Sequence, residues 1–191
     1  TSDLDTLTAG EAKPGALLSP QGKILFDFLI SRAGESGFRL ECRADIANDF
    51  VRRLMLYKLR AKVEIAEQDQ LLVTVTWAGD STTSLSELTA PDPMALADAR
   101  FRDVPVTRSY GGSAADGDVG ARHSLRIAHG IAESGTDYPL GDAFPHDVLL
   151  DDAGGVGFKK GCYGGQEVVA RMQHRGTAVL LVLMRSHWSA W

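Results

Sequence analysis

Between Lys159 and Gly176 the chain reads Lys159-Lys160-Gly161-Cys162-Tyr163-Gly164-Gly165-Gln166-Glu167-Val168-Val169-Ala170-Arg171-Met172-Gln173-His174-Arg175-Gly176. Glycines this close together demand a backbone turn in which another part of the molecule, or a ligand, comes near. The apolar spacing Val168, Val169, Met172 predicts a short helix that begins near Gly165. Cys162 then lies just ahead of a helix N-terminus, where unpaired amides, the helix dipole and the ammonium groups of Lys159 and Lys160 favour thiolate over thiol. A plainer role stands beside this one, because a free cysteine in a Gly-rich turn also packs as a small hydrophobe. Glu167 precedes Arg171 by four residues, the orientation of an exposed helical ion pair, and an acid in a first helical turn needs no further reason.

Earlier in the chain, Pro14-Gly15 and Pro20-Gln21-Gly22 mark turns. After them Ile24-Leu25-Phe26-Asp27-Phe28-Leu29-Ile30 reads as a buried strand. Asp27 interrupts that apolar run, so it must find hydrogen-bond partners or face a cavity. Gly37 to Cys42 alternates apolar and polar residues as a half-buried strand does, which puts Cys42 with Phe38 and Leu40 on its apolar side as core packing. Asp45 is the expected cap of a helix whose buried stripe is Ile46, Phe50, Val51, Leu54 and Met55. Arg52, Arg53, Lys58, Arg60 and Lys62 form a basic cluster on and beyond it, but no aromatic residues interleave as a stacking platform would require, so direct nucleic-acid binding is not favoured. Lys62 to Ile65 and Leu71 to Trp77 are expected to pair as a hairpin through Glu67 to Gln70. A polar stretch at 78–93 suggests a seam between a first region, 1–90, and a second, 91–177, with 178–191 as an atypical tail.

At 191 residues and 44% hydrophobic content the chain can bury one sizeable core or two small ones. A net charge of −5 disfavours non-specific attraction to nucleic acid or anionic membranes. Cys42 and Cys162 stand in unrelated contexts, which argues against a disulfide scaffold and fits a reducing compartment. The histidines show no ligand spacing, so no metal site is expected. No basic start followed by an apolar core indicates secretion or membrane insertion.

The run Lys-Gly-Cys-Tyr-x-Gly-Gln-Glu, Lys160 to Glu167, resembles the signature of the YgfZ-type folate-binding proteins, relatives of the glycine-cleavage T-protein, an aminomethyltransferase. Leu18 to Asp27, Leu54 to Val63, Arg126 to Glu133, Asp137 to His146 and Met172 to Ala178 agree with it, so the likeness runs from about Leu17 to Ala178. Asp147 departs from it, since the family more usually has Glu there. After Ala178 the likeness ends where basic residues normally lead into a C-terminal β-barrel domain. A strand and helix that the family carries before Thr1 are not in the sequence either, as in a chain truncated at both ends.

The resemblance implies an α+β, T-protein-like folate-binding fold, with antiparallel sheets packed by helices and without the C-terminal β-barrel. It implies tetrahydrofolate, or a one-carbon derivative, as cofactor, with Arg126, Gly130, Lys160, Tyr163, Gln166 and Glu167 as folate-binding residues and Cys162 as the reactive group at the folate site. The implied role is assistance to iron–sulfur cluster assembly or repair, linked to tRNA modification, with iron–sulfur client or assembly proteins as partners. The free thiols and the want of an export signal make a cytoplasmic location the expectation. Two other readings stay open: a folate-dependent aminomethyltransferase, and a binding module or degenerate fragment without chemistry.

Overall fold

A computed structural model of the chain describes residues 1–34, 36–68, 72–77, 95–111, 117–158, 160 and 162–175. The architecture is α+β. Six strands form one sheet: β1 (Glu11–Leu18), β2 (Ile24–Ala33), β3 (Gly37–Glu41), β4 (Val73–Trp77), β5 (Leu96–Asp98) and β6 (Val106–Tyr110). Their spatial order is β3-β2-β1-β5-β6-β4. Neighbours run antiparallel except β1 and β5, which are parallel, so the sheet is mixed where antiparallel sheets were expected. The parallel pairing hydrogen-bonds strands from either side of 78–94; that stretch, with the expected seam, lies outside the described residues, as do 178–191.

The turn at Ser19 to Lys23 folds β2 back onto β1 and sets Asp27 opposite Ala16. Helix α1 (Ala44–Lys58) docks through Phe50, whose ring stacks on Phe26 at 5.0 Å and Phe28 at 5.2 Å. Of the stripe read from the sequence only Phe50 is fully buried, and Met55 is 49% exposed. The helix therefore touches the sheet near its middle and leaves its last turn in solvent. Asp45 lies inside the first turn, with Arg43 at the cap position and no side chain closing it. Its carboxylate is taken by Arg43 instead, at 3.0 Å from Nε. Lys62 to Ile65 form no strand, and β4 pairs with β6, which replaces the expected hairpin.

Helix α2 (Val119–Ala128) is capped by Asp118, which accepts from the Gly120 amide at 2.7 Å. The loop beyond it, through a 3₁₀ turn at Pro145–Val148, packs Tyr138, Ala143, Val148 and Val156 against Ala16, Leu18 and Ile24. Val169 of helix α3 (Gln166–Arg175) closes this core. None of the described helices is long and apolar enough to cross a membrane.

Candidate functional site

Asp27 is the polar residue that the β2 sequence cannot hide, and it does both things expected of it. Its carboxylate accepts from Ser134 Oγ at 2.6 Å, Tyr138 Oη at 2.9 Å and the Ser134 amide at 3.3 Å. It also lines a cavity of about 230 Å³ whose apolar wall includes Phe28, Leu29, Val148 and Leu150. Every partner of Asp27 is a neutral donor, and no ion pair reaches it among the described residues. Burial, and then the charge of Asp27, push the Tyr138 phenol far above its ordinary pKa, so it remains a donor. Arg43 stands beside this group and donates to Ser134 Oγ at 3.2 Å. It fits there because Gly135 has no side chain; a Cβ at that residue would come within 2.1 Å of the guanidinium.

Behind the cavity runs a chain of ion pairs. Glu41 on β3 holds Arg108 on β6, and Arg108 reaches Asp98 on β5 at 3.0 Å. Asp98 also holds Arg100 at 2.7 Å, and Glu133 contacts Arg100 at 3.9 Å, Arg126 at 3.3 Å and Arg122. Asp137 completes the chain on Arg126 at 2.6 Å. Four carboxylates and four guanidiniums alternate, which is how charges survive away from water. Burial alone would raise the carboxyls of Asp98 and Glu133, but the arginines outweigh it and hold both below their usual range. Burial, then Glu41, push the Tyr110 phenol up to about 12.

Arg126 is 1% exposed and lines neither cavity. Its N–H groups go to His123 Nδ1, the Ile131 carbonyl and Asp137. It therefore fixes the 131–138 loop, which in turn supplies Ser134 and Tyr138 to Asp27. Gly130, at φ 69°, turns the chain out of α2 and lines a second cavity of about 170 Å³.

The described residues of the 160–167 run, 160 and 162–167, line neither cavity. Cys162 is exposed. Lys160 donates to the Ser2 carbonyl at 2.8 Å and sits 5.1 Å over the Tyr163 ring; partial burial lowers its pKa and raises that of Tyr163. Gln166 accepts from the Tyr163 amide at 3.2 Å, closing the turn into α3. Glu167 makes the exposed pair with Arg171, at 2.6 Å. Gly165, at φ 77°, presses onto the β1–β2 turn so closely that a Cβ there would lie 2.6 Å from the Ser19 carbonyl.

Cys42, expected in the core, is half-buried on the wall of the larger cavity. Burial first, then Asp27 and other nearby carboxylates, push its thiol up to about 11. Sequence reasoning also missed Arg43, Ser134, Glu133, Arg100 just after β5 and Arg108 of β6, since each is an ordinary loop or strand residue until the sheet brings it to the cavity.

The human mitochondrial iron–sulfur cluster assembly factor IBA57 is 30% identical over a region that covers 88% of this chain and 51% of that protein. The relatives that this chain matches are named as iron–sulfur cluster assembly factors. The mouse protein of the same name is 31% identical, with 87% of this chain and 53% of its own length matched, and the Mycosarcoma maydis homologue is 30% identical, with 91% and 46%. The chain spans about half the length of the curated relatives it matches. No family model matches it. The cytoplasmic location expected from the thiols is overturned, because these assembly factors are named as mitochondrial. Free cysteines report a reducing environment rather than an address, so two reducing compartments look alike in such a count.

Proposed function

We propose that this chain is a tetrahydrofolate-binding protein of T-protein-like fold that assists iron–sulfur cluster assembly or repair in mitochondria, with tRNA modification depending on the proteins it serves. The likeness to named assembly factors across 83–92% of the chain in seven relatives carries the assembly half of this reading. Asp27 carries the folate half. A carboxylate held by neutral donors beside a guanidinium offers an acceptor and a donor side by side, which suits the amino, ring N–H and carbonyl edge of a pterin. Phe28, Leu29 and Val148 supply apolar walls for the ring faces. A bound tetrahydrofolate would supply one-carbon or reducing chemistry; Asp27 and Arg43 orient it, and Tyr138 keeps Asp27 in place.

Cys162 is the thiol assigned here to meet a partner protein, and its exposure supports this, while Cys42 is half-buried and kept protonated at neutral pH by its raised pKa. The test has two arms. Isothermal titration with tetrahydrofolate is expected to give binding that Asp27→Asn weakens at least tenfold; equal affinities remove folate from this cavity. In cells lacking the homologous assembly factor, the chain is expected to restore the activity of an iron–sulfur enzyme, Cys162→Ser to fail and Cys42→Ser to succeed. Full rescue by Cys162→Ser removes the thiol from the function.

A further inference from the structure

Helix α1 is seated on the sheet through Phe50, and beyond that contact its surface changes character. Residues 52–62 hold five cations, Arg52, Arg53, Lys58, Arg60 and Lys62, and no acid. The chain as a whole carries −5, so this stretch inverts its sign and leaves −10 on the rest. Asp49 pairs with Arg52 at 3.2 Å; the other four cations have no ion pair among the described residues. Glu64 and Glu67 mark where the basic run ends.

Apolar side chains lie among those charges. Of the eleven large apolar residues exposed among the described residues, Met55, Leu56, Tyr57, Leu59 and Val63 fall within nine positions, so the exposure is concentrated. Leu56 is 69% exposed and Leu59 88%. Leu59 follows the last helical residue at φ 46°, where glycine or asparagine is usual, yet it presents an isobutyl group to solvent. No residue from 44 to 68 lines either cavity, so this helix end stands apart from the Asp27 site.

We infer that the end of α1, from Arg52 to Val63, docks on an anionic membrane surface, with Leu56, Leu59 and Val63 entering the headgroup boundary and Arg53, Arg60 and Lys62 meeting lipid phosphates. Both halves of the surface fit this occupant. Each Lys or Arg near an anionic leaflet adds attraction that acts within a Debye length, so a local patch prevails over a distant net charge. Leucines at the same level as the cations need an apolar phase directly beneath the anions, which the headgroup boundary supplies. Long basic side chains keep their heads among the phosphates while their stems lie along acyl chains. Tyr57 is the one aromatic of the stretch, too few to stack successive bases but suited to a membrane interface. The −10 carried elsewhere turns this face toward the bilayer and the rest away from it.

Sedimentation with vesicles tests this. The chain is expected to bind vesicles of equal parts phosphatidylcholine and phosphatidylglycerol roughly tenfold or more tightly than vesicles of phosphatidylcholine alone, with affinity falling as salt rises. Arg60→Glu with Lys62→Glu is expected to weaken binding to the mixed vesicles by roughly tenfold or more and to remove most of the salt dependence. Leu56→Ser with Leu59→Ser is expected to weaken it by a similar factor and to leave the salt dependence in place. All four residues are exposed, and circular dichroism checks that the variants fold. Equal binding to the two kinds of vesicle, or binding to neither, overturns the inference. So does full retention of binding by either variant, which places the contact elsewhere on the chain. Self-association without lipid that Leu56→Ser with Leu59→Ser abolishes assigns the patch to a second copy and overturns it as well.

Discussion

The wall behind the larger cavity and the segment around Cys162 are held by opposite means. The wall is built from side chains: Glu41, Asp98, Glu133 and Asp137 alternate with Arg108, Arg100, Arg122 and Arg126 across β3, β6, β5, α2 and the following loop. The Cys162 segment is built from backbone, since Gly165 lies against the carbonyl of Ser19 and the Cα of Gly22, and its charged pair Glu167–Arg171 is exposed. A conspicuous sequence run thus owes its place to residues that have no side chain. The inconspicuous one owes it to charges scattered over about a hundred residues of chain.

The largest effect expected is on the wall. Arg126→Leu strands Asp137, takes from Glu133 one of its three arginines and frees the Ile131 carbonyl, and it should cost about 3–5 kcal/mol in urea unfolding. A loss below 1 kcal/mol would mean that the ion pairs are incidental. In the other region Gly165→Ala should cost about 2–3 kcal/mol, because the residue has φ 77° and an added Cβ would lie 2.6 and 2.7 Å from backbone atoms of Ser19 and Gly22. Gly164→Ala is the control: its nearest neighbour is 3.8 Å away, and its melting temperature should stay near wild type. Equal effects at the two glycines would break the contrast.

Acid should separate the regions further. Asp98 and Glu133 have folded pKa values below their unfolded ones, so the stability they contribute is present above the ordinary carboxylate range and is lost as pH falls through the folded values. Unfolding free energy should therefore drop steeply below about pH 4. Glu133→Gln should flatten that slope. The smallest effect is Glu167→Gln at neutral pH, within about 0.5 kcal/mol of wild type, as befits an exposed helical pair.

Much of the frame was legible in the sequence because it follows from local rules. The apolar run with its single acid became β2, the spacing after Gly165 became α3, and Asp27 announced itself as a buried carboxylate needing partners. What misled was information that local rules do not carry. Met55 fits the helical stripe but lies beyond the point where α1 leaves the sheet. Lys62 to Ile65 has the composition of a strand, yet β4 found β6, more than thirty residues further on. Cys42 alternates correctly with Leu40, but the strand ends at Glu41 and the thiol turns to the cavity. Arg126 reads as a surface residue of α2 until the loop after the helix folds over it.

By itself, then, the sequence determined where turns must fall, which runs are buried, and that one acid needed a home, because turn geometry, alternation and desolvation act over a few residues. Only the tertiary structure decided which donors meet that acid, which arginines are shared among which carboxylates, and that the thiol of the glycine-rich run lines neither cavity. Those outcomes depend on distances between residues far apart in the chain, and such distances are set when strands on either side of 78–94 close into one sheet.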